Sequence, residues 1–299
     1  MRAWYSDPYE VPLPEGHRFP MGKYRLVREA LLARGVLPAE ALELARPLDR
    51  RTLALVHEAD YLRACFEGTL DEAAQRRIGF PWSEGLLTRS LASAGGTLAA
   101  ARYALAHGAS GNLAGGTHHA HAGFGAGYCV FNDLAVTAAA LLSEGRVERV
   151  LVVDLDVHQG DGTAAIFRGE PRVFTFSMHG EKNFPFRKQA STRDVELPDG
   201  CDDGRYLELL DAHLSEVFEA SAPSLVLYQA GVDALKEDTL GRLHLTHEGL
   251  RARDRRVFDL CWSRAVPVAV TLGGGYARPI EASVDASVGT WEELRRRFA

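Results

Sequence analysis

From Gly111 onward, short unbroken apolar runs alternate with longer amphipathic ones, and this alternation constrains the fold more than any other feature of the chain. The runs are "GNLAGG", "RVLVVDLD" (149–156), "RVFTFSMH" (172–179), "PSLVLYQAG" (223–231) and "VPVAVTLGGGY" (266–276). Strands apolar along their whole length belong in a sheet with both faces covered. The intervening segments 131–145, 204–221 and 246–264 have helical apolar spacing, the last opened by Thr246 as N-cap. Strands alternating with helices imply a parallel sheet. Upstream, 22–35 and 87–108 read as helices. Gly95 and Gly96 midway along the second suit close approach to another backbone. Repeats and a long linker are both missing from the pattern. The expectation is α/β: a single domain over 1–299, with an open, mainly parallel sheet flanked by helices.

Ligands of open parallel sheets bind outside the carboxyl ends of the strands, and the unusual polar residues fall there. His118 and His119 follow the first run, and Asp154, Asp156, His158 and Asp161 follow the second. Ser177 and His179 end the third, Asp233 the fourth and Tyr276 the fifth. Crowded carboxylates resist leaving water, and a cation offsets that cost. On an extended chain Asp154, Asp156 and His158 would share one face. Two carboxylates and an imidazole then suit a divalent cation, with a further ligand from another loop. The carboxylate-rich set admits zinc, iron or cobalt. The paired histidines suit proton transfer, with Asp154 and Asp161 as the acids free to orient them. His121 reads as a loop residue. A tyrosine after three glycines can be delivered into a pocket as an oxyanion donor, or can cap a turn.

A net charge of -6 invites neither nucleic acid nor an anionic membrane. The four cysteines are widely spaced, which fits neither a disulfide framework nor a thiolate zinc site. With no apolar leader at the start of the sequence, a reducing cytoplasm is the expected setting. No motif specifies an oligomeric state.

Together the stretches "GGTHHAHAGFGAGYCVFNDLAVTA", "VLVVDLDVHQGDGTAAIF", "YQAGVDAL" and "LGGGY" resemble the zinc-dependent histone deacetylase family, of arginase/deacetylase-like fold. The likeness runs from about residue 17 to 290, and segments near 180–210 and 238–258 are most similar to the class IV branch and its bacterial relatives. The resemblance implies an amidohydrolase that removes an acetyl or other acyl group from N6-acyl-lysine. Asp156, His158 and Asp233 would hold Zn2+, with Fe2+ or Co2+ as alternatives. His119 would be the general base and His118 its electrostatic partner, oriented by Asp161 and Asp154 respectively. Tyr276 would polarise the scissile carbonyl. Gly127, Tyr128, Phe184 (with Phe186 as substitute) and Leu240 would line the acyl-lysine tunnel and its rim. A structural K+ or Na+ would use Asp154, Asp156, His158, Ser177 and Met178, largely through backbone oxygens. Two departures stand out. Gln159 replaces a second histidine common in the family, and "RRIGFPWSEG" offers no aspartate to grip a substrate backbone. Deacylation of small acylated amines such as acetylpolyamines, removal of longer acyl chains, and a non-catalytic acyl-lysine binding module are the alternatives. The complete proton-transfer and oxyanion set weighs against the last.

Overall fold

In β4 (Val150–Asp154) the apolar residues alternate between two cores: Leu151 and Val153 pack on one side of the sheet, Val150 and Val152 on the other. β7 (Leu225–Gln229) repeats this with Val226 and Tyr228 against Leu225 and Leu227. This burial on both faces is what the unbroken apolar runs require. The computed structural model describes residues 1–9 and 11–299. In chain order its elements are β1 (Ala3–Tyr5), α1 (Lys23–Ala33), β2 (Leu42–Leu44), α2 (Arg50–Leu53), α3 (Ala59–Glu67), α4 (Glu72–Ile78), α5 (Glu84–His107), β3 (Ala109–Asn112) and α6 (Asp133–Ser143). There follow β4 (Val150–Asp154), α7 (Asp161–Ile166), β5 (Val173–Gly180), β6 (Arg193–Leu197), α8 (Asp203–Ser221), β7 (Leu225–Gln229), α9 (His247–Ser263), β8 (Val268–Thr271) and α10 (Glu281–Phe298).

The strands form one sheet of order β2-β1-β3-β8-β7-β4-β5-β6, parallel at every pairing. Helices α1, α8, α9 and α10 cover one face, through residues such as Leu31, Leu214, Phe258 and Trp291. Helices α5 and α6 cover the other through Leu98, Ala101, Leu134 and Leu141. The expected N-cap, Thr246, accepts a 3.0 Å bond from the Gly249 amide. Gly95 behaves as its size suggested, since a Cβ there would lie 2.0 Å from the carbonyl oxygen of Arg46.

The structure differs from the sequence reading in three places. β1, β2 and β6 were not among the expected strands. The strand expected from Gly111 runs Ala109–Asn112, so the glycines before His118 lie in the loop that follows it. The run 149–156 is extended only to Asp154, so Asp156 and His158 sit on the loop that follows rather than on one strand face. All four cysteines are free and buried. Among the described residues no helix is long and apolar enough to cross a membrane.

Candidate active site

The adjacent strands β8, β7 and β4 end side by side, and the loops leaving them bring Tyr276, Asp233, Asp156 and His158 together. One donor atom each from Asp156, His158 and Asp233 lies within 4.8 Å of the others. The His158 Nδ1 is 3.0 Å from Asp156 Oδ1 and 3.1 Å from Asp233 Oδ2. Each carboxylate is anchored from behind. Asp233 Oδ1 accepts from the Val157 amide at 2.9 Å, and Asp156 Oδ2 accepts from the Gly274 amide at 2.8 Å. A Cβ on Gly274 would fall 1.8 Å from Asp233 Oδ2, so only glycine admits this approach.

The donor set fits a divalent cation. All three side chains are buried, and one Nδ1–H cannot satisfy two carboxylates at once. Burial, helped by the Asp156 charge, pushes the Asp233 carboxyl up to about 7. Burial alone would lower the His158 imidazole, yet its two carboxylate neighbours raise it to about 10. Two acids and one ring therefore compete for protons in a dry pocket, and a cation coordinated by all three removes that competition. Behind the cluster the fully buried Arg253 of α9 donates to the carbonyls of Leu155 (3.1 Å) and Gly231 (2.6 Å), and so ties down both acid-bearing loops.

The histidine pair hangs on the loop after β3. Asp133, at the start of α6, fixes that loop by accepting from the amides of Gly116 (3.0 Å) and Thr117 (2.7 Å). His118 Nδ1 donates to Asp154 Oδ2 at 2.7 Å, and His119 Nδ1 donates to Asp161 Oδ1 at 2.6 Å. These are the pairings expected from the family. With Nδ1 committed, Nε2 is the free basic atom of each ring. Burial of His118 is outweighed by Asp154 and Asp156, which raise it to about 9. Burial, then the neighbouring His118, lowers His119 to about 4. Only His119 of the pair lines the outer cleft; His118 lies deeper.

That cleft measures ≈ 380 Å³ and leads from solvent to His119, His158 and Tyr276. Gly127, Tyr128, Phe184 and Leu240 all line it. The Phe184 ring meets His119 edge-on at 4.8 Å, and a Cβ on Gly127 would lie 3.0 Å from that ring. Phe186 is 82% exposed at the mouth, so Phe184 is the inner wall of the two. The amide of Tyr276 donates to Asp238 Oδ2 at 2.6 Å, and the same carboxylate accepts from the Leu240 amide at 2.8 Å through Oδ1. Burial pushes the Tyr276 phenol well above its ordinary value, so it remains a donor. Ser177 and Met178 are buried in β5, with Ser177 paired to Asp154 in register and its Oγ 2.9 Å from His179 Nδ1.

Several contributors escape sequence reasoning. His121, read as a loop residue, donates from Nε2 to Asp161 Oδ2 at 3.1 Å, so Asp161 serves two imidazoles. Burial would raise Asp161, but those two bonds hold it well below the usual carboxylate range. Gln159 grips the loop carrying Phe184, donating to the Gln189 carbonyl at 2.6 Å and accepting from the Gln189 amide at 2.9 Å. Asn183 ties the same loop to the Leu240 carbonyl at 2.8 Å. No local motif marks these residues, because each acts through a partner distant in sequence. Gln159 is the exception, since its departure from the family pattern singled it out.

Comparison with known proteins bears on the family and the fold. The family model for the histone deacetylase domain matches residues 17–290. An uncharacterized protein of Picosynechococcus is 50% identical over 92% of this chain and 92% of its own. Histone deacetylase 2 of Arabidopsis thaliana is 28% identical over 94% of this chain and 77% of its own. The crystal structure of an HDAC homolog from Aquifex aeolicus superposes with a TM-score of 0.84 at 26% identity, covering 99% of this chain and 84% of that one. With a family match over nearly its whole length and a parallel α/β sheet of the arginase/deacetylase kind, the chain belongs to the histone deacetylase family.

Proposed function

We propose that this protein is a metal-dependent amidohydrolase that removes acetyl, or a related acyl group, from N6-acyl-lysine in proteins or peptides. The observation that carries the reading is the meeting of a buried two-carboxylate, one-imidazole donor set with His119 and Tyr276 at the floor of one narrow cleft. Asp156, His158 and Asp233 are its proposed ligands, for zinc first and for ferrous iron or cobalt as alternatives. A divalent cation there supplies Lewis acidity toward an acyl carbonyl and acidifies water.

The chain's own groups supply the rest. Gly127, Tyr128, Phe184 and Leu240 sheathe the lysine stem and keep water from the reacting end. His119 Nε2 takes the proton of the attacking water while Asp161 holds Nδ1–H and the ring orientation. The Tyr276 hydroxyl donates to the oxygen that gains charge, and Asp238 holds its backbone in place. His119 then returns the proton to the departing amine. His118, with Asp154, supports the charge of this step without carrying its proton. Backbone oxygens of Asp154, Asp156, His158, Ser177 and Met178 are proposed to hold a structural K+ or Na+. Four unpaired cysteines suit a reducing compartment such as the cytoplasm. The test is acetate release from an acetyl-lysine peptide by purified protein loaded with zinc. The reading predicts stoichiometric acetate and free lysine, and the absence of both under every metal would sink it.

A further inference from the structure

The mouth of the cleft carries one sign of charge. Arg76, Arg77, Lys182 and Arg242 line it, and among the described residues no Asp or Glu does. A second groove lies against the cleft, with Leu240 and Tyr276 lining both, and it adds Arg18 and Arg278, again without an acidic residue among those described. All six basic side chains are exposed. The chain as a whole has 34 basic and 40 acidic residues, so this segregation runs against its composition. Internal pairing absorbs only part of it. Arg76 meets Glu72 at 3.0 Å, while Lys182 (3.9 Å) and Arg242 (3.3 Å) share the single carboxylate of Asp199. Among the described residues, Arg18, Arg77 and Arg278 form no ion pair with a carboxylate.

The rim is also fixed relative to the tunnel. The amides of Gly127 and Tyr128 donate to the carbonyls of Arg77 (3.1 Å) and Ile78 (2.6 Å), so Arg77 is built onto the tunnel wall. Arg242 follows Leu240 and Gly241, whose amides both bind Asp238. A substrate backbone spans at most about 3.6 Å per residue, so positions within two of the acyl-lysine fall inside the Debye length of about 10 Å. Guanidinium groups pair with carboxylates through two parallel bonds.

We infer that the basic rim selects an acyl-lysine set in an acidic segment of a protein, with aspartate or glutamate within a few residues on either side. The inference rests on the deacylase reading and names its substrate class. It disfavours lysine- and arginine-rich tails and polycationic acetylpolyamines, whose charges the rim repels.

The experiment uses three acetyl-lysine peptides identical except for Glu, Gln or Lys at the flanking positions, with an acetylpolyamine as a fourth substrate. Exposed pairs contribute a factor of about 1.4 to 5 each, so kcat/KM should fall from Glu to Lys flanks by about ten- to a hundredfold at low salt. The spread should shrink to a few fold at about 0.5 M salt, where the Debye length is below about 5 Å. The double variant Arg77→Glu/Arg242→Glu should reverse the order. Binding of a labelled Glu-flanked peptide to His119→Ala protein, read by fluorescence anisotropy, should weaken with salt in the same way. Equal rates on all three peptides, or preference for the Lys-flanked peptide, would overturn the rim inference and leave the acyl-lysine reading standing; preference for the acetylpolyamine would overturn the rim inference and turn that reading to small acylated amines. Failure to hydrolyse any of the four would overturn both.

Discussion

Arg253 makes no contact with the cleft, yet the geometry gives it control over both proposed acidic ligands. Its guanidinium donates to the carbonyls of Leu155, Gly231 and, at 3.4 Å, Ala230, and pairs with Asp254 at 2.8 Å. Arg253→Met keeps a long apolar stem but removes every donor. It strands the Asp254 carboxylate, which among the described residues keeps only the Tyr228 and Thr290 hydroxyls as donors, at 2.5 and 2.6 Å. Breaking a buried pair by removing one partner costs about 3–5 kcal/mol. That is a large share of the roughly 5–15 kcal/mol by which domains are stable. Urea unfolding followed by circular dichroism should show this loss. Adding Asp254→Asn to Arg253→Met removes the stranded charge and should recover about 1–3 kcal/mol. The loops should stay slack in the double variant, so its divalent-cation affinity should remain about 10–100-fold below the parent's. A single variant within about 1 kcal/mol of the parent, or a double variant with unchanged cation affinity, would refute the assignment of Arg253 as the tie between these loops.

Other outcomes follow from the same geometry. Tyr276→Phe should keep fold and cation binding, since Asp238 holds the backbone, while kcat falls about 10²–10³-fold; an unchanged kcat would make Tyr276 a turn-capping residue only. His119→Ala should remove nearly all single-turnover activity at matched metal occupancy, and His118→Ala should leave a measurable remainder, with the reverse order reversing their roles. Buried His57 donates from Nδ1 to the His121 carbonyl and accepts the Asn132 amide on Nε2, and burial lowers it from 6.5 to about 4. The unfolded chain therefore binds this proton first as pH falls. The stabilisation is complete above pH 6.5 and is lost between there and pH 4, a total of about 3 kcal/mol. His57→Gln should flatten that part of the pH dependence of urea unfolding, and an unaltered slope would place its source elsewhere.

How much of this was legible in the sequence depended on the range over which each feature acts. β4 and β7 were readable because every residue of each is buried, leaving an apolar run no helix period explains. β1 and β2 have three residues each, too few for any pattern, and β6 at the opposite edge interleaves Arg193, Asp194 and Glu196 with its two buried positions. The proposed ligands and the histidine pair announced themselves because charged groups at the end of a buried strand need a reason to be there. Asp238, Asn183 and Gln159 did not carry that signal. Asn183 and Gln159 bind loop groups that only the folded chain brings near, and Asp238 adds the distant Tyr276 amide to its local bonds with the Leu240 and Gly241 amides, so their sequence neighbourhoods do not predict this work. The basic rim is assembled likewise from helix α4 and from loops far apart in sequence, so no local charge run foretold it.

The central claim is that Asp156, His158 and Asp233 hold the cation on which hydrolysis depends. Its most direct test is zinc titration into chelator-treated protein, with bound metal and acetyl-lysine hydrolysis read on the same samples. The account predicts no turnover before addition, recovery that saturates at one high-affinity ion per chain, and neither binding nor recovery in Asp233→Ala. Turnover that survives chelation, or an Asp233→Ala protein that binds zinc and hydrolyses substrate as the parent does, would contradict it.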